Sequence, residues 1–129
     1  MPRKLIREQD ESIALTRANR RLTLTFAFNY GGRAEIIDAV RAMMNDGVTA
    51  DDVSEKVLRR YLYEPDMPDP DLVIRTSGEF RISNFLLWEL AYSELVFTPV
   101  LWPDFRKDDL AGAIREYQER HRRFGGVET

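Results

Sequence analysis

Asp71-Leu72-Val73-Ile74-Arg75, followed by Thr76-Ser77-Gly78, is the stretch on which the reading of the chain turns. A short apolar run bounded by turn residues suits a buried strand of an α/β sheet. Arg75 stands where that strand gives way to a glycine turn. In open α/β sheets ligands bind beyond the carboxyl ends of the strands, so the position is chemically informative.

Upstream, Leu22 to Phe28 alternates Leu, Thr, Leu, Thr, Phe, Ala, Phe and predicts another strand, ending at Asn29-Tyr30-Gly31-Gly32. Ile36, Ile37, Val40, Met43 and Met44 then recur at helical spacing, and Asn45-Asp46-Gly47 supplies the stop. Thr49 is placed to cap a further helix with Val53, Val57, Leu58 and Tyr61 on one face, which Pro65, Pro68 and Pro70 end. At the start of the chain, Leu5 to Arg20 reads as an amphipathic helix with Ile6, Ile13 and Ala14 on its apolar side.

Downstream, the apolar run from Asn84 to Ala91 predicts a short buried helix containing Phe85, Leu86, Leu87 and Trp88. Glu94 to Thr98 predicts a second short strand, and Lys107 to Arg122 a closing helix on Leu110, Ile114 and Tyr117. Strands alternating with helices give an α/β class, a largely parallel sheet flanked by helices. No repeat or low-complexity segment interrupts it.

Composition bounds the chemistry. With 129 residues and 43% hydrophobic content, one core and one domain, or part of one, are expected. No run approaches the roughly 18 to 20 apolar residues of a membrane span, and Met1-Pro2-Arg3-Lys4 leads into charged sequence, which predicts a soluble, cytoplasmic chain. Cysteine is absent and His121 is the single histidine, which removes thiolate chemistry and multi-histidine metal sites and leaves oxygen ligands and hard cations. The net charge of -3 argues against a general nucleic-acid binder.

Two segments lie where ligands bind in such sheets, Asn29 to Arg33 and Arg75 to Ser83. Arg75 and Arg81 are two forked cations, and Ser83 is placed to cap the helix predicted from Asn84, so that its hydroxyl and the first helical amides would share a crevice with them. That set suits a phosphate or diphosphate. The same residues also read as an ordinary cap, an Arg75 paired with Asp71 or Glu79, and a solvated Arg81; spacing leaves both readings open. Glu94 reads as a surface carboxylate at a strand start or, beside a diphosphate, as a ligand for Mg2+. The Asn29–Arg33 turn lacks the spacing of a Walker loop or a dinucleotide fingerprint. Arg120, Arg122 and Arg123 make the last helical turn basic, which suits the helix dipole or an anion.

Taken in order, Asn29-Tyr30-Gly31-Gly32-Arg33, Asp69 to Glu79, Arg81 to Trp88, Ala91-Tyr92-Ser93-Glu94, Leu101-Trp102-Pro103-Asp104-Phe105 and Arg123-Phe124-Gly125 resemble the C-terminal signature of the cis-prenyltransferases, whose best-known branch is the undecaprenyl diphosphate synthases. The resemblance runs over nearly the whole chain. It implies a transferase that condenses isopentenyl diphosphate with an allylic diphosphate in cis geometry to make polyprenyl diphosphate. By the same resemblance, Arg75, Arg81 and Ser83 bind the diphosphate of isopentenyl diphosphate, with Ile82 contributing through its backbone. Glu94 helps hold Mg2+, and Arg123 and Gly125 contact phosphate across a homodimer interface. Peripheral membrane contact through the lipid product follows as well.

Phe80 stands where some relatives carry a polar residue or histidine, so no side-chain role is carried over there. The family's Met-Asp-Gly-Asn-Gly-Arg-Trp type block, with its essential aspartate, is not in these 129 residues. Residues 1–129 are accordingly expected to be the C-terminal portion of a single cis-prenyltransferase domain without its N-terminal half, and inactive alone. A non-catalytic partner subunit and a truncated fragment are the competing readings.

Overall fold

In the computed structural model, residues 3–120 are described. Four helices, α1 (Arg3–Thr16), α2 (Gly32–Asn45), α3 (Glu55–Arg59) and α4 (Lys107–Glu119), accompany two strands, β1 (Leu72–Arg75) and β2 (Glu94–Phe97). Short 3-10 turns occupy Ala50–Asp52 and Trp102–Asp104.

The predicted strand at Asp71 to Arg75 is β1, and it pairs in parallel with β2 in the register Leu72 with Glu94 through Arg75 with Phe97. The ladder continues past both ends, Glu94 N–H donating to Asp71 O at 3.0 Å and Thr98 N–H to Arg75 O at 2.9 Å. Helix α4 lies against both strands. Its start is fixed by a capping box, in which Arg106 N–H donates to an Asp109 carboxylate oxygen at 2.8 Å. The fold is α/β with a parallel sheet, as the sequence predicts.

Helix α2 keeps its predicted span but not its predicted face. Its buried line is Gly32, Glu35, Ala39 and Met43, spaced at i, i+3 or i+4, whereas Ile37, Val40 and Met44 are exposed. Apolar residues lie on more than one side of this helix, and the line carrying Glu35 is the one that is fully buried. Thr49 does not cap α3; its hydroxyl donates to Asp52 at 2.6 Å, while Ser54 accepts Val57 N–H at 3.3 Å as the true N-cap. Helix α1 ends at Thr16, short of Arg20, and buries no residue; pairs such as Arg7–Glu11 at 2.8 Å stabilise its solvated surface.

Two expectations fail outright. Leu22 to Phe28 is not a strand, because no described segment pairs with it, and a lone ribbon has no ladder to hold its alternation in place. Asn84 to Ala91 is not an α-helix but a chain of turns. Ser83 (φ 49°), Asn84 (φ 63°) and Leu86 (φ 43°) are left-handed, which a right-handed helix cannot accommodate. The apolar run still packs, with Phe85 edge-on to Tyr30 at 5.7 Å between ring centroids. Among the described residues the buried apolar side chains are Ala39 and Met43 on α2, Leu62 just after α3, Val96 on β2 and Ala113 on α4.

Candidate functional site

Beyond β1 the chain turns through Thr76-Ser77-Gly78, with Ser77 and Gly78 at positive φ (70° and 67°). The turn is pinned to the continuation of β2, Ser77 N–H donating to Val100 O and Gly78 N–H to Thr98 O, each at 2.9 Å. This hairpin-like return places Glu79 between the two predicted arginines. Arg75 Nη2 donates to Glu79 Oε2, and Arg81 Nη2 lies 2.8 Å from Glu79 Oε1. The two guanidinium groups, the Arg75 hydrogen bond first, hold the Glu79 carboxyl below the usual carboxylate range. Arg75 is half-buried and its Nε is buried without a hydrogen-bond acceptor, so the guanidinium retains donor capacity that the protein does not use.

Two cations therefore converge on one anion at the carboxyl end of a strand. Ser83, two residues beyond Arg81, is exposed. It does not cap a helix, since no helix follows it, and the helix-amide contribution expected there is absent from the described structure. Ile82 offers its carbonyl to Phe85 N–H at 3.0 Å. Phe80 stacks obliquely on Phe97, ring centroids 5.1 Å apart.

The second glycine turn is brought against this loop. Asn84 accepts Gly32 N–H on its backbone carbonyl at 2.8 Å and Arg33 N–H on its side-chain oxygen at 3.0 Å. These are the first amides of α2, so Asn84 occupies the donors that an anion would otherwise use. Gly32 permits the approach: a Cβ there would stand 2.9 Å from the Leu87 backbone nitrogen.

Beneath this junction lies a cluster that the sequence reading missed. Glu35 is 2% exposed and accepts Tyr30 Oη–H and, at 2.9 Å, Tyr63 N–H. Glu89 is 3% exposed, and its Oε2 has no hydrogen-bond partner. Burial, reinforced by the charge of Glu35, pushes the Glu89 carboxyl up, and burial together with the Glu35 hydrogen bond raises the Tyr30 phenol. The signal was present in the spacing of Glu35, Ala39 and Met43, but a carboxylate breaks any pattern built on apolar residues alone.

Glu94 does not join the arginines. It opens β2 opposite Leu72, whereas Arg75 closes β1 opposite Phe97, and an offset of three residues along paired strands puts the two side chains on opposite faces as well as opposite ends. Arg120 Nη1 instead donates to Glu94 Oε2 and to Leu95 O, each at 2.9 Å, and Arg120 Nη2 donates to Glu116. Among the described residues no group of three His, Cys, Asp or Glu side chains could hold a metal. A Mg2+ ion shared between Glu94 and an anion on Arg75 and Arg81 of the same chain does not fit this arrangement. Arg123 and Gly125 lie outside the described residues.

The family model described as undecaprenyl diphosphate synthase matches residues 1–125. The chain belongs to the undecaprenyl diphosphate synthase family of prenyltransferases. An isoprenyl transferase of Fusobacterium nucleatum is 54% identical over 129 residues, covering all of this chain and 55% of its own length. One of Thermotoga maritima is 52% identical, covering 98% of this chain and 55% of its own.

Among solved structures, lavandulyl diphosphate synthase from Lavandula x intermedia, determined in complex with dimethylallyl diphosphate, superposes with a TM-score of 0.89 at 37% identity, over 98% of this chain and 56% of that one. A probable undecaprenyl diphosphate synthase from Campylobacter jejuni gives 0.80 at 30% identity, over 98% and 58%. The chain thus spans about half the length of the relatives it matches and corresponds to their C-terminal portion. No helix among the described residues is long and apolar enough to cross a membrane.

Proposed function

We propose that this chain supplies the isopentenyl diphosphate site of a cis-prenyl chain-elongating transferase, with Arg75 and Arg81 as the diphosphate ligands and Ser83 as a third donor from the same loop. The observation that carries the reading is the convergence of both guanidinium groups on Glu79. A carboxylate that two arginines already grip marks where oxyanions are welcome. A diphosphate offers each fork more oxygens and more charge than one carboxylate, so it displaces Glu79 from the Nη atoms of both arginines.

In the condensation of isopentenyl diphosphate with an allylic diphosphate, these residues act by position and charge. The Thr76–Gly78 turn, tied to β2, fixes the arginines relative to the sheet, so a bound diphosphate presents its alkenyl end at a fixed distance from the strand ends. Glu94, at the other end of the sheet, takes no part in holding that diphosphate within one chain. The aspartate-bearing block that the family resemblance associates with the allylic substrate is not in these 129 residues.

Calorimetric titration of the chain with isopentenyl diphosphate tests the site without requiring turnover. Loss of one charge-assisted bond of about 1.5–3 kcal/mol weakens binding roughly 10- to 150-fold, which is the expectation for Arg75→Ala and for Arg81→Ala. Unchanged binding in both variants refutes the assignment.

A further inference from the structure

Phe80 lies between Glu79 and Arg81 and is 78% exposed, although its ring already has a neighbour, Phe97, at 5.1 Å between centroids. The two residues that this loop reaches are themselves paired across the sheet. Arg75 closes β1 directly opposite Phe97 in β2, and registered partners on adjacent strands send their side chains to the same face. Glu79 reaches Arg75 and the next residue, Phe80, reaches Phe97, so a charged pair and an aromatic pair run side by side at the strand ends. The backbone bonds from Ser77 and Gly78 to the chain beyond β2 hold both pairs in place. An aromatic ring used only for packing gives up most of its surface to the protein. Phe80 meets Phe97 and leaves the greater part of its ring open next to two arginines.

We infer that Phe80 and Phe97 form an apolar shelf for the alkenyl part of the ligand whose diphosphate sits on Arg75 and Arg81, and that Phe80 sets the preference of the site for a prenyl diphosphate over one without an apolar chain. The inference rests on the diphosphate reading of the loop and specifies the other end of the same ligand. Adjacent strands lie about 4.7–4.9 Å apart, a step that a five-carbon chain covers from the charged lane to the aromatic one. Carbon laid on an aromatic face leaves water and gains dispersion contacts. A phenyl ring has no hydrogen-bonding group to offer phosphate oxygens, so its contribution falls on the chain alone.

Calorimetric titration with isopentenyl diphosphate and with methyl diphosphate, which carries the same charge and one carbon in place of the chain, separates the two ends of the ligand. The wild type is expected to bind isopentenyl diphosphate roughly 10-fold more tightly than methyl diphosphate. Phe80→Ala reduces that ratio to about 2-fold while methyl diphosphate binds as before, and Phe80→Leu, which keeps an apolar side chain, retains most of the preference. Because Phe80 is exposed, the three proteins are expected to melt alike. Equal affinity of the wild type for the two ligands overturns the shelf, as does a Phe80→Ala variant that keeps the wild-type ratio or weakens both ligands by the same factor. In each of those cases, methyl diphosphate binding that Arg75→Ala abolishes leaves the diphosphate reading standing. Failure of the wild type to bind either ligand defeats both.

Discussion

Replacing Gly32 by alanine probes the contact on which the arrangement of the two glycine turns depends. The new Cβ would lie 2.9 Å from both the backbone nitrogen and the Cγ of Leu87, and 3.2 Å from its Cβ. The leucine side chain can rotate away, but its backbone nitrogen cannot, so α2 must recede from the turn segment. Overpacking of this kind costs about 1–3 kcal/mol. Recession also stretches the hydrogen bonds from Gly32 and Arg33 to Asn84, each worth about 0.5–1.5 kcal/mol. Against this stands a helix-propensity gain of at most about 1 kcal/mol, since Gly32 is the first residue of α2.

The net expectation is a loss of about 2 kcal/mol, which for a urea slope of about 1–3 kcal/mol/M lowers the denaturation midpoint by roughly 1 M. Gly112→Ala is the matched control. It lies within α4, where the nearest atom to a new Cβ is Arg115 Nη2 at 4.0 Å, so the same substitution there stabilises by up to about 1 kcal/mol. Urea denaturation of both variants, followed by circular dichroism, decides the matter. A neutral or stabilising Gly32→Ala beside a stabilising Gly112→Ala would refute the close approach of α2 to Leu87.

Two further outcomes test the buried carboxylate and the far end of the sheet. Because the folded-state pKa of Glu89 lies above its unfolded value, its contribution to stability is fully present below the ordinary glutamate range and is lost as pH rises through the raised value; Glu89→Gln therefore gains on the wild type with increasing pH, and parallel stability profiles would contradict the burial of an unpartnered carboxyl. Arg120→Ala releases Glu94, Leu95 O and Glu116 together, so hydrogen exchange in the last turn of α4 is expected to accelerate while isopentenyl diphosphate binding in the same protein stays unchanged; an equal loss of binding would place Glu94 functionally with the arginines after all.

Local chemistry made much of the architecture legible. The run Leu72 to Arg75 had to be a strand because turn residues bound it, and α4 followed from spacing that no neighbour contested. The helix predicted from Asn84 failed because apolar composition cannot distinguish a buried helix from buried turns. Contacts with α2 from a segment more than fifty residues away accompany the left-handed residues there. The strand predicted at Leu22 to Phe28 failed for the opposite reason, since its pattern is sound but a strand exists only in the presence of a partner.

The candidate site divides in the same way. Arg75, Arg81, Ser83 and Glu94 were singled out by residue type and family resemblance, and the sequence by itself established the family, the α/β class and the chemistry that each residue could offer. Only the tertiary structure decided which of them meet. The tie between the Thr76–Gly78 turn and β2 gathers Arg75 and Arg81 about Glu79, because backbone hydrogen bonds fix where the loop returns. The parallel register sends Glu94 to the other end and face of the sheet, because strand pairing converts a short separation in sequence into position and direction in space.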